Sequence, residues 1–452
     1  MTVSTADNAP KWSNRFAFIL AAAGSAVGLG NIWKFPYITG ENGGGAFVIV
    51  YLCCIALIGV PLMMAEILVG RRGASSPSLS FKKLAAESGA STGWAFAGTF
   101  GVIASFLILT FYSVIGGWAI SYLFHALSGD FSGAGPEHVK SLFSQLLASP
   151  GEMTLWHTAF MGITLLIVSR GVHRGIERAV TILMPAMFAI LVALVIYAFT
   201  TGSAGASLSF LFSPDFSKLT TAAILTALGH AFFTLSLGMS NIVAYGSYLP
   251  KHISITGASI TVSFLDTAVA LMAGVAIFSV VFANGMEPGA GPGLVFQTLP
   301  LAFGTMTGGY LIGIAFFFML VFAAWSSAIS LSEAVVSRLI SVYQLSRAKA
   351  ALITGVVAWT VGLLSVLSFN ILSDFKPLMG KTIFDFLDYL TANIMLPLTG
   401  LMVALFVGWV MKKEFSLQEL ETNTLIHKLW LGCLRYITPI LVLVVFIYNV
   451  LP

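Results

Sequence analysis

Charge is scarce in this chain. Of 452 residues, 22 are Lys or Arg and 18 are Asp or Glu, 9% in all, against a hydrophobic share of 58% and a mean hydropathy of +0.94. So few charges cannot solvate the surface of a soluble protein of that length, and the composition is that of a polytopic membrane protein. Cysteine is scarcer still. Cys53, Cys54 and Cys433 are too few for a disulfide framework, and the adjacent pair falls in an apolar run, where packing residues are expected. No basic stripe interleaved with aromatics suggests nucleic acid, and the histidines offer no metal constellation. The N-terminal stretch MTVSTADNAPKWSNRF lacks the charged start, short apolar core and small-residue cleavage site of a secretory signal, so the first apolar run is expected to stay as a helix.

Long apolar runs are what the chain has in abundance. A hydrocarbon core of about 30 Å takes ~20 residues of helix. Eleven runs qualify, at 16–38, 44–70, 94–127, 154–170, 178–200, 221–248, 256–284, 308–341, 350–371, 383–411 and 430–451. With the N-terminus cytoplasmic, 17 of the 22 basic residues fall at inner ends, which predicts N inside and, after eleven crossings, C outside. The expected architecture is therefore an all-α bundle in the cell's inner (plasma) membrane. Residues 1–15 form a cytoplasmic segment, 16–200 and 201–411 two blocks of five helices, and 412–452 a cytoplasmic loop and helix 11. The stretch NGMEPGAGPGLVFQTLPLAF (284–303) is too short to span and too apolar for water, which suits either a re-entrant lid or a packed loop.

Two runs are interrupted. In GSAVGLGNIWKFP (24–36) three glycines weaken the helix, and Ser25, Asn31 and Lys34 are polar. In FFTLSLGMSNIVAYGSY (232–248) Thr234, Ser236, Gly238, Ser240 and Asn241 do the same. Bare backbone in hydrocarbon survives only beside protein or a watery cavity. The breaks hold the same place, first and sixth, in two successive blocks of five, the pattern of an inverted-repeat transporter with its site at the midplane. Opened half-helices offer N–H groups to an anionic substrate group and carbonyls to a cation. A small-residue packing face would explain either break alone, but two matched breaks holding Asn and Thr favour a site. Among the intramembrane ionisable residues Lys34, Glu66, Asp266 and Glu333, the carboxylate of Asp266 is flanked by apolar turns and needs a cation to offset its cost. Ser326 and Ser327, one turn after Ala323, supply hard oxygens of the kind an alkali cation takes, although helix serines commonly bond their own backbone. His230, one turn before Thr234, is expected to be a satisfied packing histidine.

Other classes fit less well. A sodium channel would also use broken helices, and saturable substrate uptake separates it from a transporter. No span holds a His and carboxylate metal set, an activated serine or a cysteine with a base, so an enzyme has no support.

The stretches ILAAAGSAVGLGNIWKFPYITGENGGGAFVIVYL and GVPLMMAEILVGRR, followed by RGIERA, FFTLSLG, GPGLVFQTLP and the serine pair, resemble the neurotransmitter:sodium symporter family over nearly the whole chain, in particular its bacterial amino acid transporters. The resemblance implies two inverted five-helix repeats with broken helices 1 and 6, a central neutral hydrophobic L-amino acid up to aromatic size, two Na⁺ ions and no obligate protein partner. One sodium would sit among Ala26, Asn31, Thr234, Asp266 and the substrate carboxylate, and the second among Gly24, Val27, Ala323, Ser326 and Ser327. Tyr112 with amides near Gly28, Leu29 and Gly30 would clamp the substrate carboxylate, and Phe233 would close the pocket. Ser25, Ile108, Ser236, Met239, Ser327 and Leu331 would set specificity. Many chloride-dependent relatives have asparagine where Asp266 stands, which implies chloride-independent transport here. Lys34 replaces the usual outer-gate arginine opposite Asp388. Ala9 and Ser341 replace the usual inner-gate pair, leaving Trp12 as the inner plug. Gly175 and Pro185 match a spacing associated with local unwinding of the fifth helix. Most relatives carry a twelfth helix, whereas this chain stops after the eleventh. A proton-coupled permease of similar architecture is the alternative, with His230 and Asp266 able to titrate.

Overall fold

The computed structural model describes residues 11–200, 203–288, 293–377, 379–420 and 422–450. All its regular elements are helices. They are α1 (Arg15–Ala26), α2 (Gly30–Glu41), α3 (Gly45–Gly73), α4 (Pro77–Glu87), α5 (Thr92–Ser128), α6 (Pro136–Ala148), α7 (Pro150–Ser169), α8 (Val172–Thr200) and α9 (Ala204–Phe212). After them come α10 (Thr221–Thr234), α11 (Asn241–Gly246), α12 (Ile255–Ala283), α13 (Leu294–Thr305), α14 (Gly309–Tyr343), α15 (Arg347–Leu367), α16 (Ile383–Val410), α17 (Lys413–Leu420) and α18 (Thr424–Tyr448). Among the described residues nine helices are long and apolar enough to cross a membrane, and α1 with α2 makes a further bent crossing of 50°. The sixth apolar run is not one helix: α10 and α11 are 14 and 6 residues long and are separated by the segment 235–240.

Local chemistry sets the ends and the breaks. The Asn14 side chain accepts from Ala17 N at 2.9 Å and starts α1, and Ser254 and Asn423 do the same for α12 and α18. At the first break Val27 leaves the helix for an extended conformation (φ −73°, ψ 109°). At the second, Ser236, Gly238 and Ser240 all have positive φ (54°, 75° and 60°). Two of these three are not glycine, so packing must hold them there.

The long α14 and α5 pack together at the centre, with α8 against α14, and the broken helices lie on them: α1 on α14, α2 on α12 and α11 on α3. Leu155, Ile182, Leu311 and Leu429 are exposed, as an apolar surface facing lipid requires. Cys53 corrects one expectation. It is exposed on α3, with Cys54 half-buried, because the pair sits on the outward side of that helix and not in its packing face. Residues 289–292 of the expected lid lie outside the described residues. The next element along the chain is α13, whose Phe296 is buried and stacks on Phe143 with ring centroids 5.5 Å apart and meets Trp118 edge-on at 5.9 Å.

Candidate functional site

The two breaks face each other. At the first, Gly28 N donates to Asn31 Oδ1 at 3.0 Å, and Leu29 N donates to the Tyr112 hydroxyl of α5 at 3.2 Å. Half-helix amides are thus gathered where α2 begins. Gly28 is required here by space, because a Cβ would lie 2.4 Å from Ser327 Oγ and 2.8 Å from the Tyr112 hydroxyl and would fill the gap between the breaks. A cavity of about 20 Å³ lies between them, lined by Ser25, Ala26, Gly28, Gly30, Ile108, Tyr112, Phe233, Ser236, Met239, Ser327 and Leu331. Apart from Leu29 and Thr234, these are the residues expected to bind substrate.

Beside the cavity, Asn31 Nδ2 donates to Asp266 Oδ1 at 2.7 Å and to Thr234 Oγ1 at 3.0 Å, and Thr234 Oγ1 lies 3.1 Å from Asp266 Oδ1. The Tyr51 hydroxyl, which the sequence did not single out, donates to Asp266 Oδ2 at 3.4 Å. Asp266 is fully buried, and no Lys, Arg or His pairs with it among the described residues. A buried carboxylate with only neutral donors around it is costly, and this one sits in a nest of oxygens that suits a small cation. The second expected set is also together. Ser327 Oγ lies 3.4 Å from the carbonyls of Gly24 and Val27, and Ser326 Oγ lies 2.9 Å from the Ala323 carbonyl and 3.5 Å from that of Val27. Three carbonyls and two hydroxyls, all neutral and hard, again fit an alkali ion better than a transition metal. No cluster of three or more His, Cys, Asp or Glu exists among the described residues.

Phe233 divides this cavity from a larger one. A vestibule of about 330 Å³ lies beyond it, walled by aromatics including Trp33, Phe111, Trp118, Phe143 and Phe384, with Lys34, Asp385 and Asp388 on its rim. Lys34 does not pair with Asp388. Its Nζ rests over the Phe233 ring, 4.8 Å from the centroid, a cation–π contact on the wall of the same vestibule.

The opposite side is sealed. Trp12 is buried, with Nε1 donating to Tyr245 O and its backbone N to Tyr248 O, both at 3.0 Å. Ala9 lies outside the described residues, and Ser341 only bonds its own helix, to Ser337 O at 2.8 Å. A different set of bonds lies on this side. The Tyr248 hydroxyl donates to Glu333 Oε1 at 2.7 Å, Arg347 binds both Glu333 oxygens, and Arg347 Nε donates to Val168 O at 2.8 Å. Ser13 bonds Glu177 at the start of α8 through both its N–H and its hydroxyl. Gly175 lies in the same wide turn, where a Cβ would be 2.0 Å from Ile167 O, so this glycine permits close approach of α7 to α8. Pro185 lies inside α8.

A buried histidine departs from expectation, and a buried carboxylate supports the second break. His230 is enclosed by the rings of Phe35 and Tyr51, and neither ring nitrogen has a partner among the described residues, so it is packed but not satisfied. Glu66 is fully buried and accepts from Gly238 N at 2.8 Å, holding the second break from α3.

The sodium:neurotransmitter symporter family matches residues 9–140 and 136–452. Over 441 residues the chain is 38% identical to YhdH of Bacillus subtilis, described as an uncharacterized sodium-dependent transporter, covering 97% of each. It is 35% identical over 446 residues to an uncharacterized sodium-dependent transporter of Haemophilus influenzae, again covering 97% of each. The crystal structure of MhsT in complex with L-phenylalanine matches with a TM-score of 0.90 and 46% identity, covering 97% of this chain and 99% of that one. Broken helices around an oxygen-rich centre define a membrane symporter and not an enzyme. The chain belongs to the sodium:neurotransmitter symporter family.

Proposed function

We propose that this protein imports neutral hydrophobic L-amino acids, coupled to two sodium ions and independent of chloride. One observation carries the reading: a cavity with apolar walls at Ile108, Met239, Leu331 and Phe233 adjoins both the half-helix amides at the first break and a buried carboxylate that lacks a basic partner. The amides near Leu29 and Gly30 and the Tyr112 hydroxyl, which lines the cavity and accepts from Leu29 N, would take the substrate carboxylate. Asp266, Asn31, Thr234 and the Ala26 carbonyl would hold one sodium next to that carboxylate, so that ion and substrate bind together. Gly24, Val27, Ala323, Ser326 and Ser327 would hold the second, joining α1 to α14.

The substrate class is supported by the phenylalanine in the MhsT complex and by the apolar lining here. Chloride independence follows from Asp266, whose carboxylate supplies the negative charge that a bound chloride would otherwise bring. The human sodium- and chloride-dependent GABA transporter 2 is a more distant relative at 25% identity. The basic residues put the Trp12 face in the cytoplasm and the vestibule outside. In that orientation, residues 16–200 and 201–411 are the two repeats that rock against each other. Lys34 and Asp388 form the outer gate, Trp12 is the inner plug, and the start of α8 between Gly175 and Pro185 opens the way out for the second sodium.

Uptake of labelled leucine and tryptophan into proteoliposomes tests this, with an inward sodium gradient against an equal potassium gradient at fixed pH. Saturable accumulation that needs sodium and persists when gluconate replaces chloride is expected. Uptake driven by a pH gradient and indifferent to sodium would make Asp266 a proton carrier instead.

A further inference from the structure

Asn241, at the start of α11, is fully buried and touches neither proposed sodium site, yet both ends of its amide are engaged. Its Oδ1 accepts from Ser105 Oγ of α5 at 2.6 Å, and its Nδ2 donates to Ser330 Oγ of α14 at 3.3 Å and lies 3.9 Å from Met239 Sδ. Ser105 Oγ is also within hydrogen-bond reach of Met239 O and shares its one proton between the two acceptors, so Met239 is contacted at its backbone by Ser105 and at its thioether by Asn241. Ser330 is anchored in turn, accepting from Ser25 Oγ and donating to Ser327 O, both at 2.8 Å. Met239 forms a wall of the central cavity.

That cavity, at about 20 Å³, holds a water or two and no amino acid, so a wall must move when substrate binds. Met239 has the mobile side chain, because a thioether is unbranched and repacks readily. The bonds of Asn241 are what restrain it.

We infer that Asn241 is a positioning residue that limits how far Met239 withdraws and thereby sets the largest substrate side chain the pocket admits. The inference rests on the reading of this cavity as the substrate site. Asn241 acts through Met239 and has no contact with substrate of its own. Replacing the amide with an apolar group of similar length releases the thioether toward α5 and α14 and favours large side chains over small ones.

The test is uptake by full-length protein in proteoliposomes, with KM and maximal rate measured separately for leucine and tryptophan. Asn241→Leu and Asn241→Ala are both expected to lower the ratio of tryptophan KM to leucine KM, by up to about tenfold or ~1.4 kcal/mol. Ser330→Ala leaves Asn241 intact but removes its anchor on α14, and is expected to shift the ratio the same way by less; it also answers if the Asn241 variants fail to fold. A shift in Asn241→Ala but not in Asn241→Leu would show that volume alone matters and would overturn the inference. So would equal losses of maximal rate for both substrates at an unchanged KM ratio, the result of a merely structural role. Wild-type protein that accumulates neither amino acid with sodium would instead overturn the assignment of the cavity.

Discussion

On the vestibule face Lys34 and Asp388 share the rim of an open cavity and do not pair, whereas on the opposite face Trp12, Tyr248, Glu333 and Arg347 form an unbroken chain of bonds. The sealed face is reinforced further along. Arg71, at the end of α3, pairs with Glu419 of α17 at 2.6 Å and donates to Ile253 O at 2.6 Å, pinning the segment just after α11. One face therefore relies on aromatic side chains around a space, and the other on charges with no space left between them. A path open at one end and bonded shut at the other is what the proposed import would require of one state of the transporter. The energetic weight of closure lies in the buried ion pair, so the largest effects should come from there.

Glu333→Gln removes one member of a pair whose carboxylate is fully buried, and it leaves Arg347 without its charge partner. Breaking such a pair costs roughly 3–5 kcal/mol, drawn from the sealed state alone if Glu333 and Arg347 separate when that face opens. Backbone hydrogen exchange in 12–26 and 241–248 should speed up by at least about a hundredfold, with α5 unchanged. Unchanged protection would mean that the pair merely braces the scaffold.

Trp12→Ala should act in the same direction by a little less, about 3 kcal/mol, since it removes a buried indole and its bond to Tyr245 O but no charge. Exchange should again rise on that face. If the Glu333 and Trp12 variants combine with less than additive effect, the two residues belong to one closing unit.

The asymmetry between the faces was only partly legible in the sequence. Hydropathy located nine of the eleven expected spans as long apolar helices among the described residues because a bilayer demands length, and both breaks showed because glycines and amides stand out in an apolar run. The clusters around Asp266 and around Ser326 and Ser327 followed from the same contrast together with the family resemblance. The pairing of Glu333 with Arg347 did not show. The two are 14 residues apart across the end of one helix and the start of the next, and hydropathy does not say which way either faces. Ser105, Ser330 and Asn241 were equally silent as a group, since a lone hydroxyl in a helix ordinarily bonds its own backbone. Lys34 was expected to face Asp388, but its cation–π contact with Phe233 is a three-dimensional neighbour that no linear pattern records.

Lys34→Arg probes the open face. A guanidinium reaches farther than an ammonium and can take a carboxylate with two parallel bonds. It should bridge to Asp388 and favour closure of the vestibule by about 1 kcal/mol. Bound labelled leucine should then dissociate about fivefold more slowly. No change in that rate, together with unchanged exchange on the sealed face, would show that Phe233 alone governs access.

The smallest effect should come from the pair His125 and Asp130, where α5 ends, 2.6 Å apart and partly exposed. The bond from His125 holds the Asp130 carboxyl below its ordinary value of 3.8, against the opposing effect of burial. A depressed carboxylate contributes stability above the unfolded value and loses it as pH falls through the folded one. Asp130→Asn should therefore lower stability at neutral pH, by less than about 1 kcal/mol because solvent screens the pair. The difference from wild type in thermal unfolding should shrink as the pH drops below 4. Hydrogen exchange on the sealed face should not respond. If it did, the loop after α5 and the bonds of the sealed face would be coupled, and the two faces could not be treated as separate gates.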